Sequence, residues 1–143
     1  MSQVQIELPL YVDIGGKDKK WYLNLNVYRN SFYHQLNKAK LEYAKQISTV
    51  CTTAILPVIP EGHYIVRMSV DYVIYPSTKR KFDLGNVASI VEKFFLDTLQ
   101  KLELLKNDDY ECVFRSTYNI GSVAPNAGYV LAGLTIYLTE PKP

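Results

Sequence analysis

Residues 63–86 read HYIVRMSVDYVIYPSTKRKFDLGN, and this stretch decides the fold. His63 to Tyr75 is rich in β-branched and aromatic residues, which is typical of a strand. Pro76-Ser77-Thr78 ends that strand. Asp83 then stands where a helix N-cap is expected, and the apolar spacing after it predicts a helix from about Leu84 to Leu102. The stretch therefore predicts a strand, a polar loop and a helix in succession.

The rest of the chain supplies four more predicted strands and a second long helix. These elements are strands over residues 3–12 and 21–28, a helix over 32–51 capped at Asn30-Ser31, and strands over 110–120 and 129–138. The predicted order is β-β-α-β-α-β-β. We expect one α+β domain, residues 1–143, with a mixed β-sheet and its two main helices on one face.

Length and composition fit a globular domain that buries its own core. The chain has 143 residues, and its 16 Lys and Arg against 14 Asp and Glu give a net charge of +2. A charge this mild does not by itself indicate a nucleic-acid partner, so local clustering matters more. Basic residues cluster at Lys17-Asp18-Lys19-Lys20 and at Lys79-Arg80-Lys81.

Several classes of protein are not expected from this sequence. The N-terminus does not read as a signal peptide, and no apolar run approaches the ~20 residues that span a bilayer. Cys51 and Cys112 have no His or Cys at zinc-ligand spacing, so we interpret them as buried, reduced thiols. These features predict a cytoplasmic protein that makes no membrane contact.

The helix after Asp83 carries a polar stripe beside its apolar face. Its members, at spacings of three and four, are Asp83, Asn86, Ile90, Lys93 and Asp97. A solvated helix flank would have the same pattern. Asp83 and Asp97 lie roughly 21 Å apart along a helix and cannot share a metal. Asp108 or Asp109 would return beside Asp83 if the following strand paired antiparallel to the preceding one. Acids gathered there beside basic residues would suit a magnesium-dependent phosphodiesterase.

The motifs in residues 79–115 resemble the RusA-type Holliday-junction resolvases, which are small dimeric endonucleases. The family pattern is a basic pair, Asp-x-Asp-Asn, Lys-x-x-x-Asp-x-Leu on a helix, and Asp-Asp before a strand. Here it corresponds to Arg80-Lys81, Asp83-Leu84-Gly85-Asn86, Lys93–Leu99 and Asp108-Asp109. The resemblance implies a RusA-like domain and a Mg²⁺-dependent (or Mn²⁺-dependent) endonuclease. That enzyme would cut four-way or related branched DNA symmetrically as a homodimer.

The resemblance also assigns roles to single residues. It implies that Asp83 and Asp109, with Asp108 beside the latter, hold the metal, and that Lys93 is the essential lysine. Asn86 would orient Asp83 or a water molecule. The residues expected to contact the DNA backbone are Lys79, Arg80, Lys81, Lys17, Lys19, Lys20 and Arg29, where Arg29 has an internal carboxylate as its alternative partner.

Two positions depart from the family pattern. Gly85 stands where the family usually has its second aspartate. Lys93 lies seven residues beyond Asn86, where the closer family spacing would place Ser89. The chain therefore leaves two alternatives open beside the enzyme. One is a RusA-like protein that binds branched DNA with little or no catalytic activity. The other is a protein-interaction module.

Overall fold

A four-stranded mixed sheet forms the centre of the fold. The computed structural model describes residues 1–17 and 19–143, so Asp18 of the first basic cluster lies outside the described residues. Along the chain the elements are β1 (Ser2–Leu8), β2 (Tyr11–Asp13), β3 (Lys20–Tyr22), α1 (Leu25–Asn30), α2 (Tyr33–Ile55), a 3-10 turn (Leu56–Val58), β4 (His63–Tyr75), α3 (Leu84–Lys101), β5 (Val113–Ile120) and β6 (Tyr129–Pro141).

The sheet has the order β1-β6-β4-β5, while β2 and β3 form a separate hairpin. β6 pairs antiparallel with β1 and β4, whereas β4 and β5 pair parallel, with Val70 opposite Ser116. The prediction of an α+β fold with a mixed sheet is confirmed.

One hydrophobic core lies between the sheet and the helices. Alternate strand residues point toward it, including Ile6, Val70 and Leu134. α2 contributes Tyr43, whose ring meets the edge of Phe94 from α3 at 5.5 Å between centroids. Burial of these large side chains is the main stabilising term in such a domain.

The connection from β4 through α3 to β5 fixes which residues are neighbours. After α3 the chain turns at Glu103, which has a positive φ of 57°, and Leu104 N donates to the Leu99 carbonyl. Leu105 then lies beside Ile65, near the start of β4. Because the chain has returned to that end of β4, β5 runs parallel to β4.

The predicted element order is wrong near the N-terminus. Pro9 separates the predicted strand 3–12 into β1 and β2. The predicted strand 21–28 is instead the short β3 followed by α1, because the Asn24 side chain accepts the Val27 N–H at 2.8 Å and caps a helix. Ser31 ends α1 by donating to the Val27 carbonyl, so α2 begins only at Tyr33.

Among the described residues, no helix is both long enough and apolar enough to cross a membrane.

Candidate nucleic-acid-binding cleft

A cleft of about 650 Å³ opens where β4 ends and α3 begins. Its walls come from the β2–β3 hairpin, the first turn of α1, the loop that joins β4 to α3, and the start of α3. The residues that line it are Leu10, Tyr11, Tyr22, Leu23, Asn24, Asn26, Ile74, Pro76, Ser77, Thr78, Arg80, Lys81, Phe82, Asp83, Asn86, Val87 and Ala127.

Asp83 combines a structural role with an available acceptor. Its Oδ1 accepts the Gly85 N–H at 2.9 Å, and its carbonyl accepts the Asn86 N–H at 3.1 Å, so the residue begins α3 as predicted. Oδ2 makes no hydrogen bond to any described residue, and the side chain is exposed in the cleft. One carboxylate oxygen is therefore available to a ligand.

The basic loop places two cations in the same cleft. Arg80 and Lys81 both line it and both are exposed. The Arg80 N–H donates to Thr78 Oγ1 at 3.3 Å, which bends the loop just before them. Lys79 is exposed but outside the lining residues. The structure thus brings Arg80, Lys81, Asp83 and Asn86 together, as the sequence predicted.

The hairpin supplies an aromatic wall that the sequence interpretation missed. Tyr11 and Tyr22 form a cross-strand pair with ring centroids 5.7 Å apart, and both line the cleft. Lys20 Nζ lies 4.9 Å from the centroid of the Tyr11 ring. Lys17 and Lys19 are exposed near the turn of the hairpin. The alternation along β2 could have indicated Tyr11, but no local signal indicated how the hairpin sits against α3.

α1 forms the remaining wall, and Trp21 of β3 links the C-terminal cap of α1 to α3. Trp21 stacks on Phe94 at 5.4 Å, and its Nε1 donates to Ser31 Oγ at 2.8 Å. Asn24 and Asn26 reach the cleft from the N-terminal turn of α1. Arg29 is exposed on the last turn of α1 and is not a lining residue.

The expected pairing of Asp83 with the second acidic segment does not occur within one chain. The Asp109 carbonyl accepts the Val113 N–H at 2.8 Å. Val113 is the first residue of β5 and lies opposite Met68 of β4. Met68 and Ile74 of β4 are roughly 20 Å apart at ~3.3 Å per residue, and the cleft lies at the Ile74 end. The prediction that the strand after α3 pairs antiparallel with β4, which would have brought Asp109 beside Asp83, is wrong because β5 is parallel to β4.

Asp108 and Asp109 have other surroundings at the far end of the sheet. Oδ1 of Asp109 accepts the Glu111 and Cys112 N–H groups at 3.2 and 3.3 Å, which shapes the turn into β5. Asp108 is exposed beside it. The structure gives the Asp109 side chain a turn-forming role.

Lys93 is also outside the cleft. It is exposed on α3, ten residues after Asp83, or roughly 15 Å along the helix axis. A lysine side chain does not span that distance, and Lys93 is absent from the lining residues. Ser89, one turn nearer to Asp83, is exposed but carries no charge.

The residues in the cleft do not suit a metal site built from protein ligands alone, but they suit one that a substrate phosphate completes. No group of three or more His, Cys, Asp or Glu side chains in residues 1–17 and 19–143 has the geometry to hold an ion alone. Mg²⁺, however, is commonly held by one or two carboxylates together with substrate phosphates and water. Asp83 could supply the carboxylate of such a site, with the Asn86 amide one helical turn away.

The segment from Gly121 to Gly128 supports the loop that carries the basic residues. Gly121 N donates to the Ile74 carbonyl and Ala124 N to the Pro76 carbonyl, both at 2.8 Å. Gly128 has a φ of +64°, and a Cβ there would lie 2.9 Å from both Ser77 N and the Tyr75 carbonyl oxygen. The absence of side chains at these glycines lets the two segments pack closely.

Neither thiol is suited to nucleophilic chemistry. Burial raises the pKa of Cys51 to about 12, and burial also raises the pKa of Cys112 above its ordinary value. Both cysteines are free and buried. Neither cysteine is therefore a candidate nucleophile.

No protein-family model matches this chain, and no curated protein matches its sequence.

Proposed function

We propose that this protein is a magnesium-dependent endonuclease that binds and cuts Holliday junctions or related branched DNA, like the RusA-type resolvases that its motifs resemble. The observation that carries the proposal is the convergence of Arg80, Lys81, Asp83 and Asn86 on one cleft. This combination offers cations to a phosphate backbone beside a carboxylate for a hard metal ion.

The basic residues account for DNA binding. Arg80 and Lys81 contact the phosphates on either side of the bond to be cut, since both lie in the cleft with Asp83. Lys79 and the hairpin lysines extend the positive surface along the strand. Lys17, Lys19 and Lys20 are exposed on that hairpin. Neutralising phosphates releases counterions, so binding weakens steeply as salt rises.

Asp83 and Asn86 carry the chemistry. The Gly85 N–H holds Asp83 Oδ1, which turns Oδ2 into a fixed acceptor at the start of α3. Asn86 lies one turn away, where its amide can orient a water or the carboxylate. When bound, Mg²⁺ supplies Lewis-acid stabilisation of the charge that develops on the phosphate, and Mn²⁺ accepts the same ligands.

Paired cutting requires two copies of this cleft. A four-way junction has two-fold symmetry, and a homodimer with an isologous interface presents two symmetry-related sites to it. We therefore include homodimerisation in the proposal, together with a cytoplasmic location, where branched DNA intermediates occur.

A second function is favoured by one specific observation. Among the residues that the structure describes, a single carboxylate lines the cleft, because position 85 is glycine and Asp109 lies at the far end of the sheet. A site with one carboxylate binds Mg²⁺ weakly before DNA arrives. The protein would then be a branched-DNA-binding protein that grips the junction without cutting it.

Cleavage of a labelled, mobile four-way junction in Mg²⁺ tests the enzyme directly. Asp83→Asn is the matched variant, because asparagine is as good an N-cap as aspartate and keeps the helix start intact while removing the charge. Linear duplex of the same sequence is the substrate control. The enzyme predicts paired symmetric nicks that are absent with the variant.

The remaining outcomes separate the alternatives. Junction binding that persists in EDTA, without nicks in Mg²⁺ or Mn²⁺, would replace the enzyme by the inert binder. Absence of salt-dependent binding to any DNA would overturn both and leave a protein-interaction module.

A further inference from the structure

The aromatic wall of the cleft is unexplained by phosphate binding or by metal chemistry. Along the hairpin, side chains alternate between two faces. Val12 and Trp21 point into the core and are almost fully buried, whereas Tyr11 and Tyr22 point into the cleft. Tyr22 keeps 49% of its surface exposed. A ring whose only role was packing would be expected on the buried face.

Of the two tyrosine rings in the wall, that of Tyr22 is the more exposed and can contact a ligand. Lys20 lies over Tyr11 at 4.9 Å, and the two tyrosine rings are tilted by 49° at 5.7 Å. Tyr11 is half-buried between these neighbours, so Tyr22 offers the open aromatic surface. Lys20 adds a positive charge beside it. An exposed aromatic ring next to a cation is the arrangement that binds single-stranded nucleic acid by stacking.

The same cleft also carries the groups that a nucleotide's phosphate requires. Arg80 and Lys81 line the same cleft as Tyr22, and its volume of about 650 Å³ is ample for one nucleotide. Asn24 and Asn26 line the same cleft and can offer amide groups to the polar edge of a base, although Oδ1 of Asn24 already accepts the Val27 N–H. The cleft thus combines aromatic, amide and cationic groups.

We propose that the Tyr11–Tyr22 wall stacks an unpaired base, so that the protein selects branched DNA with at least one unpaired nucleotide at the branch point. This inference rests on the proposed function and narrows its substrate class. A fully paired duplex cannot present the face of a base to Tyr22, since both faces are covered by its neighbours in the stack.

The test uses a splayed-arm DNA with 2-aminopurine as the first unpaired base, in EDTA so that nothing is cut. Stacking on a ring quenches this fluorophore. Wild-type protein is expected to quench it and to bind the splayed DNA at least about tenfold more tightly than linear duplex, given the usual contribution of one base–aromatic stack. Tyr22→Leu should lose the quench and about tenfold in affinity, whereas Tyr22→Phe should keep both.

Two controls isolate the stacking. Tyr137→Leu removes an equally exposed tyrosine, 47% against 49%, from β6, outside the cleft, and should bind as wild type does. Trp21 is the single tryptophan and neighbours position 22, so its emission reports whether the hairpin remains folded in each variant.

The outcomes distinguish this inference from the function on which it rests. Wild-type protein that binds junctions without quenching the probe, or a folded Tyr22→Leu variant that binds and quenches normally, would overturn the stacking role and leave the nuclease proposal standing. The quench is measured on wild-type protein, so it decides the matter even if Tyr22→Leu fails to fold. Wild-type protein that binds none of the DNAs would overturn both.

Discussion

The Asp83 carboxylate and the Gly85 amide are joined by a 2.9 Å hydrogen bond that begins α3 and fixes the one acidic group lining the cleft among residues 1–17 and 19–143. The same two positions are those at which the RusA-like pattern has a pair of aspartates. This chain has an acid at the first of these positions and glycine at the second. Because an N-cap requires only one acceptor, Asp83 alone is sufficient to begin the helix.

Gly85→Asp should strengthen the site. The new Cβ would meet Asp83 Oδ1 at 3.4 Å, an ordinary contact, and position 85 is exposed in the first turn, where the helix dipole favours an acid. We expect half-maximal cleavage at a lower Mg²⁺ concentration than in the wild type, measured on the four-way junction. If the wild type is an inert binder, the variant should gain cleavage.

Gly85→Asn is the control for this gain, because it adds a side chain of the same size without charge. An effect shared by both variants would attribute the change to the loss of glycine flexibility and not to a second carboxylate.

Asp109→Asn should leave junction binding and cleavage within about twofold of wild type, as is usual for surface substitutions. Asparagine keeps the oxygen that accepts the Glu111 and Cys112 N–H groups, so the turn into β5 is retained. Loss of cleavage would show that a second chain brings Asp109 to the cleft. In that case, mixing the Asp83→Asn and Asp109→Asn proteins would restore one complete site per dimer.

The local parts of this site were predictable from the sequence. β4 has the predicted bounds, His63–Tyr75, and Asp83 caps α3 as expected, because strand propensity, a proline and a capping acid all act over a few residues. Arg80 and Asn86 then follow as neighbours. The predicted residues that do meet in the cleft are therefore those that one short segment of the chain brings together.

The position of Asp109 depended on longer-range information. Whether β5 runs parallel or antiparallel to β4 is decided by the path of the connection after α3, where the positive φ at Glu103 and the pairing of Leu105 with Ile65 return the chain to the start of β4. Neither feature has a sequence signature. The same holds for Tyr22, whose place in the cleft depends on the packing of Trp21 against Phe94.

Gly128→Ala should destabilise the domain more than Gly16→Ala does. Both residues have positive φ, +64° and +74°, so each alanine costs about 1–2 kcal/mol of backbone strain. Among the described residues, the Cβ would meet backbone atoms at Gly128 alone, those of Ser77 and Tyr75, which should add about 1–3 kcal/mol. Urea denaturation measures both free energies of unfolding. Equal losses in the free energy of unfolding would show that the loop carrying Ser77 moves away from the new Cβ at no energetic cost.

The same pair of variants should differ in DNA binding. Displacing Ser77 moves the loop that carries Arg80 and Lys81, so folded Gly128→Ala should bind junctions more weakly and with a smaller salt dependence. Gly16→Ala, whose Cβ has no atom of a described residue within 4 Å, should leave the salt dependence unchanged.

Two buried tyrosines and one half-buried tyrosine should make the fold sensitive to alkali. Burial raises the pKa of Tyr43 and Tyr72 well above the ordinary value, and burial beside Glu92 raises the pKa of Tyr118 to about 12. Above pH ~10 the unfolded chain therefore releases protons that the native state retains, so the free energy of unfolding falls as pH rises from 10 toward 12. Urea denaturation at pH 8, 10 and 11 measures the fall.

Tyr118→Phe removes one of the three protons and should make the fall in the free energy of unfolding less steep, whereas Tyr137→Phe, at an exposed ring, should not. A stability that stays level across this range in the wild type would show that the three hydroxyls titrate at their ordinary pKa.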